Sequence, residues 1–334
     1  MKKIGRDYTD RKTSEELIGH IGFGMPVVVD RSRRVKVLIT GAGSYIGNSF
    51  IEYANKYYPD NFEIEAIDMI GDAWKEADFS KYDIVYHVAG IAHADVGNVS
   101  DEVKEKYYKV NTDLAIEVAK KAKESGVHEF VFMSSMIVYG DSAPFGKEKI
   151  VDETTVPQPA NFYGDSKLQA DVAVRELADD RFKVVVLRPP MIYGKGSKGN
   201  YPILSKIAKK VPVFPNVKNC RSMLFVGNLC EFLCQIFLVS FKVNSCVLIP
   251  QNPEYTRTSE MVKEIAKVCE KKIICSCVFN IGVRFASVIP GKISGLVHKA
   301  FGNSCYSMNL SDYEGLSYTK YTLSESIFET EKES

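Results

Sequence analysis

Apolar and polar positions along this chain follow two rhythms that trade places at regular intervals. Residues 35–40, VKVLIT, are a nearly continuous apolar run, the pattern of a strand buried on both faces. Glycines follow at 41, 43 and 47, and then Ile46, Phe50, Tyr53 and Tyr57 recur at spacings of four, three and four, one face of a helix. FEIEAID (62–68) reads as a second strand, and DIVYHVAG (83–90) as another. The segment between them, GDAWKEADFSKYD, is too short for a full strand–helix unit, so the third unit reads as clipped. A long helix is expected over 101–125, where Val103, Tyr107, Val110, Leu114, Val118 and Ala122 hold spacings of three and four. Strand VHEFVFM (127–133), a helix over about 161–179 and strand KVVVL (183–187) complete the alternation. This order predicts an α/β fold with a doubly wound parallel sheet.

Beyond RPP (188–190) the rhythm loosens into a smaller C-terminal lobe. A glycine-rich loop leads to a helix around 203–210 and the short strand VPVF, and KKIICSCVF reads as a further strand. Helices are expected at 258–269, near 282–300 and near 323–332. The expected division is an extension of unknown role over 1–34, a nucleotide-binding domain over 35–190, and a lobe over 191–334 with some segments returning to the sheet. In the extension, Thr13 and Glu16 form a capping-box pattern, and the basic run Arg31–Arg34 leads into the first strand. The apolar run 223–241 resembles a membrane span in length, but Gly227, Asn228, Glu231 and Gln235 divide it into a strand and an amphipathic helix.

Composition narrows the classes of function. A formal net charge of +1 gives no electrostatic footprint for nucleic acid or an anionic membrane. Eight cysteines without paired spacing read as reduced thiols of a cytoplasmic protein, and no metal site is expected. No secretory leader pattern opens the sequence.

The chemistry begins at the first turn. A buried strand, a glycine turn and a helix N-terminus bring backbone N–H groups toward an anionic diphosphate. Asp68, 27 positions after Gly41, stands where an acid receives ribose hydroxyls and repels a 2′-phosphate, which favours NAD over NADP. Ala89 and Gly90 let backbone pack closely against a cofactor. Tyr163 and Lys167 are four apart on one helix face. A phenol is a poor base at its ordinary pKa of about 10, and a neighbouring ammonium favours the phenolate. Ser135, just past a strand end, is placed to hydrogen-bond the same oxygen.

TGAGSYIG, Asp68, HVAG, the Asn111 of KVNTDLA, FMSSMIVYG, YGDSK and LRPPMIYG together resemble the extended short-chain dehydrogenase/reductases, specifically the nucleotide-sugar epimerase/dehydratase family, over residues 35–194. The resemblance implies a Rossmann-type domain, NAD, a UDP-sugar substrate and a catalytic trio of Ser135, Tyr163 and Lys167, with Lys167 also holding the nicotinamide ribose. It implies cofactor contacts from Gly41, Gly43, Ser44, Tyr45, Ile46, Gly47, Asp68, Val88, Ala89, Gly90 and Asn111, with Asp78 and Phe79 bordering the adenine. Asn200, Val213, Phe214 and Arg221 fall in the order of the residues that hold the UDP in UDP-sugar epimerases. Dimerisation through helices 101–125 and 161–179 is also implied.

Two departures bear on the reaction. Ser44 stands where the family has glycine, and Met191 stands where UDP-galactose epimerases have Asn; the RPPMIYG form is similar to that of 4-keto-sugar reductases. For a second diphosphate Arg only Arg257 and Arg284 are candidates. Dehydratases carry an Asp-Glu pair after the catalytic Ser, whereas Met136 and Ile137 follow Ser135 here. The expected activity is 4-epimerisation of a UDP-hexose. The alternatives are reduction of a UDP-4-keto-6-deoxy-hexose by NAD(P)H, and a non-catalytic dinucleotide sensor.

Overall fold

The computed structural model describes residues 7–10, 12–22, 27–28, 33–92 and 99–332. Arg31 and Ser32 of the basic run, and the FGMP half of GHIGFGMP, lie outside the described residues. Six parallel strands form the main sheet: β1 (Val35–Thr40), β2 (Phe62–Ile67), β3 (Ile84–His87), β4 (Glu129–Met133), β5 (Lys183–Leu187) and β6 (Ser245–Leu248). Their order is β2-β1-β3-β4-β5-β6. The chain therefore reverses its direction of travel between β1 and β3, which opens a crevice at their C-terminal ends.

Alternation along each strand sends neighbouring side chains to opposite layers. Phe130 and Phe132 of β4 face one core, Val131 and Met133 the other. The first layer contains α2 (Asp101–Tyr108), α3 (Leu114–Glu124) and α4 (Phe162–Arg175), with Ala115, Ile116 and Leu168 in its core. The second contains α1 (Tyr45–Tyr57) and α6 (Val226–Phe237). There Phe50 meets Phe62, Tyr86 and Phe237 edge-on at centroid distances of 6.1, 6.1 and 5.3 Å, a favoured aromatic geometry. The run 223–241 divides as its polar residues dictate: strand Met223–Phe225 continues directly into α6.

A third core joins α5 (Asn200–Lys210), α7 (Thr258–Val268) and α10 (Leu323–Glu331) through Tyr201, Ile265 and Ile327. Short parallel pairs tie this lobe together: Met191–Tyr193 with Met223–Phe225, and Val213–Pro215 with Ile274–Ser276. The helix expected near 282–300 is two helices, α8 (Asn280–Val288) and α9 (Lys292–Phe301). Pro290 removes a backbone donor between them, and Gly291 takes a φ of +94°, which together end one helix and permit the next. KKIICSCVF is a strand only at Ile274–Ser276, followed by a 3₁₀ turn, Cys277–Phe279.

Between β2 and β3 the described chain makes a 3₁₀ turn, Ala73–Glu76, in place of a strand–helix unit. Described residues of the N-terminal extension lie along the opposite edge. Thr13 and Glu16 close a capping box on helix Ser14–Ile18. Ile21 then bridges Val247 in parallel, with Val247 N donating to His20 O at 2.8 Å and Gly22 N to Val247 O at 2.9 Å. These residues cover the outer side of β6, which would otherwise present open backbone groups.

Candidate active site

The motif residues converge on the C-terminal ends of the strands. Gly41 follows β1 with a φ of +116°, and a Cβ there would lie 2.9 Å from Ala89 N and 3.0 Å from Ala89 Cα. The turns after β1 and β3 thus meet backbone to backbone, which only glycine allows. Asp68 follows β2 directly and is exposed, one residue past Ile67, whose carbonyl accepts from Gly41 N at 2.9 Å and Ala42 N at 3.0 Å. Its own carboxylate accepts from Ile70 N at 3.0 Å.

Ser44 resolves the departure from glycine. Its φ of −69° is ordinary for any residue, and its hydroxyl caps α1 by accepting from Gly47 N at 3.2 Å. Asn48 N bonds Ser44 O at 2.9 Å, so Tyr45 and Ile46 hold the N–H groups of this first turn that remain for a ligand. A Cβ on Gly47 would lie 2.6 Å from the Ser44 hydroxyl, so serine at 44 and glycine at 47 depend on each other. Ser44→Ala is expected to cost about 1 kcal/mol of stability, read as a lower urea midpoint at unchanged m. Tyr45 sends its side chain to the loop beyond β5, where a Cβ on Gly194 would approach its hydroxyl to 2.8 Å.

The other side of the crevice carries Ser135, Tyr163 and Lys167. Ser135 begins the 3₁₀ turn Met136–Tyr139 and accepts from Ile137 N at 3.3 Å. Asn161 caps α4 by accepting from Gly164 N at 3.1 Å, which fixes the helix start one residue before Tyr163. The Tyr163 ring stands edge-on to Tyr107 at 6.0 Å. Burial, then Tyr107, push the phenol up to about 12, while the Ser135 hydroxyl draws it down. Lys167 is buried, donates to Met133 O at 3.0 Å and lies over the Phe132 ring at 5.0 Å. Burial lowers its ammonium to about 8, against the pull of Asp171. The ammonium therefore points at the end of β4, and the expected depression of Tyr163 is not present in this arrangement.

Asn111 differs from its expected part. It is fully buried in a π-helical turn, Lys109–Asp113, between α2 and α3. Its Oδ1 accepts from Ile91 N at 2.8 Å, and its Nδ2 donates to Ile91 O and Ser166 Oγ, both at 3.1 Å. It braces the loop after β3 against α4 and offers no surface to a cofactor. A Cβ on Gly90 would lie 3.1 Å from both Asn111 Oδ1 and Lys167 Nζ, so Gly90 keeps that loop seated over the lysine. The Phe79 ring is fully buried in the first-layer core, while its neighbour Asp78, whose carboxylate accepts from Ser80 N, is exposed. Val88 and Ala89 are half-buried on the crevice wall.

The nucleotide-end residues are less assembled. Asn200 opens α5, half-buried, after Gly199 with a φ of +107°. Val213 is exposed, while Phe214 is buried against Phe301 at a centroid distance of 5.8 Å. The Arg221 guanidinium donates to Lys299 O at 2.7 Å at the end of α9, so helix capping is its work here. Phe214 and Arg221 thus both serve α9. Arg257 precedes α7 and Arg284 lies exposed on α8.

His87, at the last position of β3, carries no sequence signal beyond its place in HVAG. It is fully buried, its Nδ1 lies 2.7 Å from Thr40 Oγ1, and burial with the nearby Lys167 charge lowers it to about 3. The folded state holds it neutral while the unfolded chain protonates it near its ordinary value of about 6.5. Stability contributed here is present above that value and lost as pH falls toward 3. His87→Gln is expected to flatten the fall in urea midpoint between pH 6.5 and 4. A cavity of about 890 Å³ lined by Arg33, Asp83, His128 and Phe182 opens at the other end of the strands, remote from this chemistry.

Residues 37–240 match the model of the NAD dependent epimerase/dehydratase family. The chain belongs to that family. It is 27% identical over 260 residues to the UDP-glucose 4-epimerase of Vibrio cholerae, covering 72% of this chain and 78% of that one. It is 30% identical over 219 residues to the N-acetyl-alpha-D-glucosaminyl-diphospho-ditrans,octacis-undecaprenol 4-epimerase of Escherichia coli O157:H7, covering 59% and 61%. Its fold matches the UDP-glucuronic acid 4-epimerase of Bacillus cereus in complex with NAD, with a TM-score of 0.66 at 16% identity over 89% of this chain and 95% of that one. The protein is therefore an NAD-dependent enzyme of the extended short-chain dehydrogenase/reductase type. The Gly41–Ala89 approach, the open N–H groups of Tyr45 and Ile46, the exposed Asp68 and the Lys167 ammonium under Gly90 suit the diphosphate and ribose parts of NAD. No helix among the described residues is long and apolar enough to cross a membrane.

Proposed function

We propose that this enzyme epimerises a UDP-hexose at C4. The observation that carries the reading is the placement of Ser135, Tyr163 and Lys167 around one crevice with the Gly41 turn on its other wall. The likeness to the Vibrio cholerae UDP-glucose 4-epimerase supports the substrate class. Tyr163, as its phenolate, takes the C4 hydroxyl proton, and Ser135 would hold the same oxygen by a hydrogen bond. Lys167, whose ammonium lies beneath Gly90, would hold ribose hydroxyls of the cofactor. When bound, NAD supplies a hydride acceptor and donor at C4. Return of the proton from Tyr163 to the turned sugar completes the cycle with no net redox change. At the nucleotide end, Asn200 is half-buried and Val213 exposed, while Phe214 and Arg221 pack against or cap α9.

Met191 at the position of the epimerase Asn favours a second reading, one-way reduction of a UDP-4-keto-6-deoxy-hexose. Turnover without added cofactor separates the two. An epimerase purifies with NAD, releases it on denaturation, and converts UDP-glucose unaided. Protein that purifies without nucleotide and oxidises NAD(P)H only with a 4-keto sugar supports the reductase reading instead.

A further inference from the structure

The helical hairpin α8–α9 has a composition that its packing does not use. Ile281, Phe285 and Val288 recur at spacings of four and three along α8 and are 61%, 70% and 74% exposed. α8 contains no buried residue at all. The apolar surface continues through Ile289 into Ile293 and Leu296 of α9, which are 49% and 67% exposed. It begins just before the hairpin, at Val278 and Phe279, which are 70% and 40% exposed. Single exposed apolar residues are ordinary, but a continuous face of them marks an interaction surface.

The charge along this segment is one-sided. From Lys271 to Ser311 the sequence holds Lys271, Lys272, Arg284, Lys292 and Lys299 and no Asp or Glu. The net charge of +1 over the whole chain hides this asymmetry. Apolar side chains accompanied by cations, without an acid among them, fit a surface that is greasy within and anionic at its edge. That is the boundary of a bilayer containing anionic phospholipid. A protein partner of ordinary composition would bring both signs of charge, and no acid of this segment would meet its cations.

The hairpin is also anchored rather than loose. His298 Nδ1 accepts from Phe145 N at 3.0 Å, Lys299 O accepts from Arg221 at 2.7 Å, and Thr258 Oγ1 donates to Ala300 O at 2.6 Å. α9 is thereby held against the lobe while the Phe285–Leu296 face turns to solvent.

We infer that α8–α9 seats this protein on the surface of an anionic phospholipid bilayer, with Phe285 and Leu296 entering the headgroup–acyl boundary and Arg284 and Lys299 meeting lipid phosphates. The inference goes beyond the proposed reaction and does not depend on it. The test is flotation of the full chain with vesicles of phosphatidylcholine alone or mixed with phosphatidylglycerol. The wild-type chain floats with the mixed vesicles, less with phosphatidylcholine alone, and is released as salt is raised. Phe285→Ser with Leu296→Ser lowers partitioning on the order of a hundredfold and leaves the unfolding midpoint unchanged, since both side chains are exposed. Arg284→Gln weakens binding to the mixed vesicles alone, by roughly fivefold. Absence of flotation at low salt, or flotation indifferent to the double substitution, overturns the inference. So does a wild-type dimer in sedimentation that the double substitution converts to monomer, because a second copy then covers this face.

Discussion

Tyr163→Phe is expected to lower kcat by about 10²–10⁴-fold, the range for loss of a positioned acid–base group, while the protein folds and retains NAD. The ring keeps its edge contact with Tyr107, whose centroid lies 6.0 Å away, so packing survives the change. Only the hydroxyl and its interaction with the Ser135 side chain are lost. Because burial holds the phenol up at about 12, the wild-type group is protonated at neutral pH before ligands bind. Activity as a base should therefore rise with pH through the neutral range. Initial rates and the NAD content of the purified variant check both parts. A variant with wild-type kcat would remove Tyr163 from the chemistry.

Arg188→Met is expected to cost about 3–5 kcal/mol, a large share of the roughly 5–15 kcal/mol that holds a domain together. Arg188 is fully buried, and its five N–H donors all have acceptors. Nε and Nη2 donate to the two Asp171 oxygens, both at 2.8 Å. Nη1 reaches Tyr139 Oη at 2.8 Å and Ile18 O at 3.0 Å, and Nη2 also reaches Leu17 O at 3.1 Å. Burial pushes the Asp171 carboxyl up, but Arg188 and Arg175 outweigh it and hold the group below the ordinary carboxylate range. Removing Arg188 leaves Arg175, at 3.0 Å, as the ion pair in contact with that charge, and takes a donor from the carbonyls at the end of Ser14–Ile18. Urea titration reads the loss, and limited proteolysis should cut the freed extension first. Adding Asp171→Leu should restore part of the stability, because an apolar pair leaves no stranded charge.

Such long-range dependence separates what the sequence disclosed from what it withheld. Val35–Thr40, the Gly41 turn and α1 were readable because each is fixed by neighbours a few positions away. Tyr163 and Lys167 were readable for the same reason, as one helix face. The extension was legible only as a capping box at Thr13 and Glu16, since its place depends on Arg188, Arg175 and Val247 far along the chain. Asn111 could be matched to a motif, but its work as a brace depends on Ile91 and Ser166. The helix expected near 282–300 ran through Pro290-Gly291, where the chain breaks it in two. Phe79, Phe214 and Arg221 were matched only by their order along the chain, and packing turns their side chains to the core or to a helix end.

The central claim is that hydride leaves C4 and returns to it within one closed site. The direct measurement uses UDP-glucose carrying deuterium at C4, incubated with the purified enzyme in ordinary water without added cofactor. The account predicts that the 4-epimer forms with its deuterium still at C4, at a rate slowed by the isotope. Loss of the label to water, or its appearance in NADH free in solution, would contradict the account.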